Sequence, residues 1–281
     1  MVQLSLIAKT KGEFMNTIKL VAFDIDGTLI PRGSQVIPEN TKQAIQELQR
    51  QGTQICVATG RSSFFIQDDV INTIHPDFYV TVNGQLVTDK HFNPLVEKRL
   101  DLKESLMILQ YCKENNIAVG CKMLNSIDVY HDYETFWPIY LHGIEEQKNI
   151  LVNREHQPLL QSEGAPFGIF MIGKDELILP LQNKLTSLTL SHAYDGAYEL
   201  FDNSVGKGDG LQYVVDHFGF SWDEVIAFGD AHNDIFMLEK AGISVAMGNA
   251  SQDCKDAADF VTLDSSDNGI AHALRYYKLI Q

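Results

Sequence analysis

The sequence predicts an α/β protein in which a core built on a parallel β-sheet carries an inserted α+β domain. Near both ends of the chain, short apolar segments rich in β-branched residues alternate with amphipathic segments. This order is typical of parallel strands joined by right-handed helical crossovers. Between residues 85 and 195 the pattern changes to alternating segments that resemble antiparallel strands with helices on one side. The length of 281 residues agrees with two domains at about 150 residues each.

The individual elements follow from periodicity and from the residues that end helices. The first part of the core is predicted to contain strands at 18–23, 54–58 and 78–82 and helices at 38–51 and 62–73. Its second part is predicted to contain helices at 206–218, 233–241 and 268–279 and strands at 225–228, 243–246 and 260–263. In the insertion we predict a hairpin at 85–100, helices at 102–114, 133–142 and 174–186, and strands at 117–123, 127–131 and 167–172. The predicted domains are therefore a core of 18–84 and 196–281 and an insertion of 85–195, after an N-terminal extension of 1–17 with Met15 as an alternative start.

Composition and charge exclude several classes of protein. A hydrophobic content of 44% is too high for a disordered chain. The net charge of −15 disfavours a binder of nucleic acid or of anionic membranes, since both need clustered Lys and Arg. The four cysteines are scattered without a CxxC pair, which disfavours structural zinc and suits the reducing cytoplasm. We find no apolar run of membrane-spanning length and no signal peptide.

The most informative segment, Asp24-Ile25-Asp26-Gly27-Thr28, follows directly after the first predicted strand. In an open parallel sheet, residues just past the carboxyl end of a strand line the ligand crevice. The period of two in extended backbone puts Asp24 and Asp26 on the same side of the chain. Two carboxylates so close repel each other, so one is either protonated or held by a cation. An ordinary Asp-Gly turn is the alternative interpretation.

Two further segments have features of an anion site. Thr59-Gly60 follows a strand and precedes a helix, where backbone N–H groups and the helix dipole attract anions. The alternative is that Thr59 only caps the helix. Lys207 begins a predicted helix, where its charge opposes the dipole. It indicates an anionic partner unless the side chain is simply solvated.

A fourth segment, Gly229 to Asp234, again runs from a strand into a helix. Asp230 and Asp234 lie four residues apart there, and together with Asp24 they could supply the carboxylate oxygens that Mg²⁺ prefers. Asn233 and Asp234 as helix caps are the alternative interpretation.

Taken together, these motifs resemble the haloacid dehalogenase-like (HAD) superfamily of phosphohydrolases, in its Cof-type sugar-phosphatase branch with a type IIB cap. The resemblance covers residues 18–281, each motif follows the expected element, and the insertion lies between the second and third motifs. It implies a Rossmann-like core and an inserted α+β cap that closes over the substrate as a lid.

The resemblance also implies roles for individual residues. Asp24 is the nucleophile that forms an aspartyl-phosphate, and Asp26 is the acid that protonates the leaving alkoxide and then activates water. Mg²⁺ is held by the Asp24 carboxylate, the Asp26 carbonyl and the Asp230 carboxylate, with Asp234 completing or supporting the site. The phosphoryl oxygens are bound by the remaining members of the motifs, Thr59, Gly60, Lys207 and Asn233.

Further residues are candidates for substrate specificity. In the core they are Arg61, Asn83, Gly84 and His232. His232 lies at a motif position that is often a smaller residue in the family. It could contact the substrate, and the alternative interpretation is a solvent-exposed loop histidine. Asn83-Gly84 resembles the family's Asn-Gly at the cap junction, and a simple turn is the alternative. In the cap the candidates are Lys122, His131, Tyr133, Trp137, Tyr140 and His142, with core packing as the alternative for the aromatic residues.

The expected function is Mg²⁺-dependent hydrolysis of small phosphate monoesters, either sugar phosphates or phosphorylated cofactors, by a cytoplasmic monomer or homodimer. Asp26 disfavours dehalogenation, because expelling a halide needs no acid. A phosphomutase of the phosphomannomutase type is one alternative. It needs several arginines for the distal phosphate, whereas residues 85–190 contain only Arg99 and Arg154. The other alternative is an idle sensor or binding protein, although each reactive position carries a competent side chain.

Overall fold

The computed structural model describes residues 18–161 and 164–281, and its internal contacts divide them into two units. The first unit contains residues 18–60, 66–95 and 206–281, and the second contains 61–65 and 96–205. The predicted N-terminal extension with Met15 lies outside the described residues. Among the described residues, no helix combines the length and the apolar character that crossing a membrane requires.

The elements, in chain order, begin with the first unit. It starts with β1 (Leu20–Phe23), α1 (Glu39–Arg50), β2 (Gln54–Ala58), α2 (Asp68–Ile74), β3 (Phe78–Thr81), β4 (Leu86–Asp89) and β5 (Pro94–Glu97), the last of which crosses the unit boundary after Leu95. The second unit contributes α3 (Leu102–Glu114), β6 (Ala118–Lys122), β7 (Ile127–His131), α4 (Tyr133–Tyr140), β8 (Leu151–Asn153), β9 (Gly168–Ile172), α5 (Asp175–Ile178), β10 (Leu188–Tyr194) and β11 (Ala197–Asp202). The first unit resumes with α6 (Lys207–Phe218), β12 (Val225–Gly229), α7 (Ile235–Lys240), β13 (Ile243–Ala246), α8 (Gln252–Asp256), β14 (Phe260–Val261) and α9 (Gly269–Tyr276).

The first unit is built on a sheet of eight strands in the order β14-β13-β12-β1-β2-β3-β4-β5. The six strands from β14 to β3 are parallel, and β4 pairs antiparallel with β3. Because β1 lies between β12 and β2, the loops that follow these three strands open at the same edge of the sheet. The predicted α/β class with a parallel-sheet core is confirmed.

Helices cover both faces of this sheet. Alternate residues of the strands, such as Tyr79 on β3, share one buried cluster with Ile45 of α1 and Leu274 of α9. The neighbouring residue Val80 points the other way, towards α6, where a Cβ on Gly210 would come within 2.4 Å of its side chain. Since both faces are covered, the strands carry continuous apolar runs, as the sequence predicted.

The second unit contains a mostly antiparallel sheet of six strands in the order β10-β11-β9-β6-β7-β8. One face packs Val119 and Cys121 of β6 against Ile108 of α3. On the other face, α4 places Phe136 directly over Gly120, where a Cβ would lie 2.5 Å from the ring. Helices therefore cover both faces, and the expectation of helices on one side is wrong.

The unit boundaries differ from the predicted limits of 85 and 195. At the first boundary, β4 stays in the first unit because it pairs with β3. At the second, the first unit resumes at Gly206, because β10 and β11 form a hairpin within the second sheet. The tight turn Asp195-Gly196, with Gly196 at a φ of 70°, joins these strands. This Asp-Gly pair is a hairpin signal that the sequence prediction missed.

Two predicted helices are interrupted. The segment 62–73 forms a short 3₁₀ turn at Ser63–Phe65 and becomes α-helical only in α2. The segment 174–186 is α-helical only in α5 and continues as a 3₁₀ helix at Leu179–Lys184. Pro180 begins that change, because proline has no N–H to donate to the preceding turn.

Candidate active site

The loop after β1 is held in a compact turn that starts at Asp24. The N–H groups of Leu29 and Ile30 donate to the carbonyls of Asp24 and Ile25 over 3.2 and 2.8 Å. Gly27 has a φ of 91°, and a Cβ there would lie 2.2 Å from Oδ2 of Asp230. Glycine is therefore required twice at this position, for its backbone conformation and for the space that the carboxylate occupies.

Lys207 joins two of the predicted acidic residues. Its ammonium nitrogen lies 2.6 Å from Oδ1 of Asp24 and 2.7 Å from Oδ1 of Asp234. The three residues are at most 4% exposed. This placement excludes the interpretation of Lys207 as a solvated side chain at a helix terminus.

Asp234 uses its second oxygen to shape the loop after β12. Oδ2 accepts hydrogen bonds from the N–H groups of Asp230 and Ala231, both at 3.0 Å. The residue therefore fixes the backbone that carries Asp230 and, through its other oxygen, the ammonium of Lys207.

Asp230 has one oxygen with partners and one without. Oδ2 accepts from Nη2 of Arg32 over 2.9 Å and lies 3.4 Å from Nδ2 of Asn249. Nδ2 of Asn249 also donates to the Gly27 carbonyl over 2.8 Å, which links the loops after β1, β12 and β13. Oδ1 of Asp230 is buried without a hydrogen-bond partner among the described residues.

This arrangement fits a divalent cation. Asp24, Asp230 and Asp234 each offer an oxygen, and the three oxygens lie within 4.8 Å of one another. Oxygen ligands in such a cluster suit Mg²⁺. A buried oxygen without a partner is costly, and a cation would satisfy it.

The ionisation of the cluster reflects burial and mutual repulsion. Burial raises the pKa of Asp24 to about 8, and the carboxylates of Asp234 and Asp230 act in the same direction while Lys207 opposes them. Burial also raises the pKa of Asp230, against the effect of Arg32. Burial opposes the charged form of Lys207, but Asp234 and Asp24 outweigh it and hold its pKa above the ordinary value. The site therefore accommodates additional positive charge.

The loops after β2, β3 and β12 meet around Asn83. Its N–H donates to the carbonyl of Thr59 over 3.1 Å, and its Oδ1 accepts from Nδ2 of Asn233 over 3.0 Å. A Cβ on Gly60 would lie 3.0 Å from the same Oδ1. Three separate motifs of the sequence are thus neighbours, and they contribute Thr59 and Gly60, Asn83, and Asn233.

Three other predicted residues belong neither to the buried acidic cluster nor to the contacts around Asn83. The side chain of Asp26 is exposed, unlike that of Asp24, and the residue forms a backbone bridge with Ile30. His232 is exposed, and its Nδ1 lies 2.7 Å from Oδ2 of Asp253. Arg61 belongs to the second unit, where its Nη1 donates to the Phe65 carbonyl over 3.1 Å.

The candidate cap residues lie in several environments within the second unit. Tyr140 packs on the rings of Phe136, Phe170 and Phe65, and Tyr133 and Trp137 join the same apolar cluster. His142 lies against the Tyr194 ring, and His131 hydrogen bonds to Asn116. Lys122 is buried and forms an ion pair with Glu199 across Gly168.

Two residues of the cluster were missed by the sequence analysis, Arg32 and Asn249. Asn249 follows the strand at 243–246, so its position just past a strand end was a usable signal. Arg32 lies in an irregular loop, and nothing local marks it as a partner of Asp230, which is 198 residues away in the chain.

The chain resembles known proteins in sequence over most of its length. A family model described as haloacid dehalogenase-like hydrolase matches residues 21–274. A 5-amino-6-(5-phospho-D-ribitylamino)uracil phosphatase, YcsE of Bacillus subtilis strain 168, is 29% identical over 265 residues, which cover 93% of this chain and 96% of that protein.

Solved structures show the same fold. The HAD subclass IIB sugar phosphatase BT4131 has a TM-score of 0.77 at 25% identity, covering 93% of this chain and 100% of that one. The phosphatase BT1666 from Bacteroides thetaiotaomicron has a TM-score of 0.81 at 24% identity, covering 99% of this chain and 100% of its own. The chain therefore belongs to the haloacid dehalogenase-like hydrolases, in their Cof-type branch, and is a phosphoric monoester hydrolase.

Proposed function

We propose that the protein is a Mg²⁺-dependent phosphatase that hydrolyses small phosphate monoesters through an aspartyl-phosphate. The observation that carries this proposal is the position of Lys207 between Asp24 and Asp234, beside the unpartnered oxygen of Asp230. A buried carboxylate with an adjacent ammonium is suited to attack a phosphoryl group, because the ammonium offsets the negative charge that both reactants bring.

The proposed reaction has two displacements. Asp24 attacks the phosphorus atom while the bond to the ester oxygen breaks, and Asp26 donates the proton that the departing alkoxide takes up. Asp26 then accepts a proton from water as the water oxygen attacks the phosphorus of the aspartyl-phosphate. The bond to Asp24 breaks, and inorganic phosphate leaves. The exposed position of Asp26, two residues from the nucleophile, supports exchange of protons with a leaving group and with water.

Lys207, the amide of Asn233 and the backbone at Thr59 and Gly60 are proposed to bind the phosphoryl oxygens. Mg²⁺ would be held by the carboxylates of Asp24 and Asp230 and the carbonyl of Asp26. When bound, it supplies positive charge to the transferring phosphoryl group. Both oxygens of Asp234 already have protein partners, so we propose that it supports the site by holding Lys207 and the Asp230 loop.

The proposed substrates are sugar phosphates or phosphorylated cofactors and their precursors, in line with the relative that acts on a phosphorylated ribitylaminouracil. The two arginines between residues 85 and 190 argue against a mutase. Arg99 binds the Ala165 carbonyl and Glu97, and Arg154 binds Asp128 and Gln157. Arginines engaged in this way are poorly placed to hold a distal phosphate. The four cysteines are buried and unpaired, which supports a cytoplasmic location.

The test is release of inorganic phosphate from p-nitrophenyl phosphate with and without Mg²⁺. We expect Mg²⁺-dependent turnover in the wild type and none in Asp24→Asn. Inactivity of the wild type under both conditions, or an Asp24→Asn variant as active as wild type, would contradict the mechanism. A panel of sugar phosphates and the phosphorylated ribitylaminouracil, compared by kcat/KM, then defines the substrate. Incubation of a hexose phosphate with a bisphosphate activator separates hydrolysis from isomerisation.

A further inference from the structure

Three consecutive residues after β3 have left-handed backbone conformations. Val82, Asn83 and Gly84 have φ angles of 47°, 52° and 99°. For a β-branched residue such as Val82 this conformation is a genuine outlier. Strained backbone persists only where the surrounding structure enforces it, and such residues cluster at functional sites.

Contacts on both sides enforce this turn. The Asn83 N–H is bound by the carbonyl of Thr59, and the Val82 side chain is only 1% exposed. Gly84 lies against the start of α6, where a Cβ would be 2.0 Å from the carbonyl oxygen of Gly206. The turn therefore packs between the loop after β2 and Gly206, the residue before Lys207.

The consequence of the turn is the position of the Asn83 carboxamide. It is half-buried next to Gly60, and its oxygen accepts from the exposed amide of Asn233 over 3.0 Å. An exposed amide samples several rotamers, and a hydrogen bond to a fixed acceptor selects one of them. That bond uses one N–H of Asn233 and leaves the second N–H for a phosphoryl oxygen.

We propose that Asn83 is a positioning residue, which acts through Asn233 by holding its carboxamide in the orientation that binds the phosphoryl group. The inference rests on the proposed phosphatase function. On this inference, the strained backbone at Val82 and Asn83 serves to place the Asn83 side-chain oxygen between the loops after β2 and β12.

The test separates the carboxamide from the backbone turn. Glycine at position 83 keeps the left-handed conformation and removes the carboxamide, whereas alanine removes the carboxamide and adds strain. We expect Asn83→Gly to raise both KM and the inhibition constant of inorganic phosphate about tenfold, with kcat nearly unchanged, since that is the order of one hydrogen bond to a charged group. Asn268→Gly, at another left-handed asparagine with a φ of 63°, is the matched control and should behave as wild type.

A double variant tests whether Asn83 acts through Asn233. We expect Asn83→Gly combined with Asn233→Ala to lose no more phosphate affinity than Asn233→Ala alone. The inference would be overturned if Asn83→Gly had the KM and phosphate inhibition constant of the wild type. It would also be overturned if the loss of phosphate affinity in the double variant equalled the product of the losses in the two single variants. Those outcomes leave the phosphatase proposal intact, which fails instead if the wild type releases no phosphate. If Asn83→Ala does not fold, Asn83→Gly decides the question alone.

Discussion

The ammonium nitrogen of Lys207 lies 2.6 Å from Oδ1 of Asp24, although the two residues are 183 positions apart in the chain and both are almost fully buried. Two buried groups of opposite charge stabilise each other only while both are present, because either one alone would be a desolvated charge. The same ion pair therefore contributes to the stability of the first unit and to the proposed catalysis.

Replacing Lys207 tests this dependence. We expect Lys207→Met to lower the free energy of unfolding of the Mg²⁺-free protein by about 3–5 kcal/mol, because it leaves Asp24 and Asp234 without their counter-charge. Turnover of p-nitrophenyl phosphate should fall by about 10²–10³-fold. Urea titration and initial rates measure the two effects. Lys90→Met, at an exposed position of the same unit, is the control and should change neither. A variant as stable as wild type would contradict the pairing.

A pair of glycines tests the space around Asp230. Gly27 and Gly33 have φ angles of 91° and 81°, so alanine at either position carries a backbone cost of about 1–2 kcal/mol. Only at Gly27 would the new Cβ reach Oδ2 of Asp230, whereas nothing lies within 4 Å at Gly33. We expect Gly27→Ala to lose Mg²⁺ binding in isothermal titration and Gly33→Ala to keep it. Equal Mg²⁺ affinities in the two variants would show that this close approach is unimportant.

Arg32 places a positive charge on Oδ2 of Asp230, next to the unpartnered Oδ1 that the proposed Mg²⁺ site would use. Its side chain is 70% exposed, so solvent screens the pair, and exposed pairs contribute about 0.2–1 kcal/mol. Loss of this competing charge in Arg32→Gln should tighten Mg²⁺ binding by about 2- to 5-fold at low salt, and less at high salt. Titration calorimetry measures the affinity, with Arg50→Gln on the exposed face of α1 as the control. Weaker or unchanged Mg²⁺ binding in Arg32→Gln would show that the Arg32 charge does not compete with Mg²⁺ at Asp230.

Glu104 gives the second unit a pH-dependent contribution to stability. Burial opposes its ionisation, but the side chain and N–H of Ser187 and those of Thr186 donate to the carboxylate at distances of 2.5 to 3.2 Å. These bonds hold the pKa of Glu104 below its ordinary value. A lowered pKa means that the stabilisation is complete above the unfolded-state pKa of about 4.3 and is lost as pH falls through the folded value.

We therefore expect Glu104→Gln to destabilise the protein at pH 7 by about 1–3 kcal/mol. The difference from wild type should shrink as the pH falls below about 4, where wild-type Glu104 also becomes neutral. Urea unfolding at a series of pH values measures this. Glu114→Gln makes the same chemical change at an exposed position of α3 and should have little effect at any pH. A constant difference from pH 7 to 3 would contradict the assignment.

The sequence predicted correctly the helices and strands that are marked by apolar periodicity and by helix-ending residues within the segment itself. The bounds predicted at 54–58, 102–114 and 243–246 match β2, α3 and β13, because apolar periodicity and helix-ending residues specify them directly. The β10–β11 hairpin was missed although Asp195-Gly196 marked it. The alternation Leu188-Thr189-Leu190-Ser191 is short, and in β11 one face mixes Ala197 and Phe201 with the charged Glu199, so the strand pattern is weak.

The amino-acid sequence was enough to predict the family, the parallel core and the set of residues at the strand ends, because each motif is a short segment with its own local signal. Which of these side chains contact each other depends on the tertiary structure. It placed Lys207 between Asp24 and Asp234, set Arg32 and Asn249 against Asp230, and brought Asn83 to Asn233. The physical reason is that these contacts join loops from different strands, so their geometry depends on sheet order and register rather than on any segment of the chain.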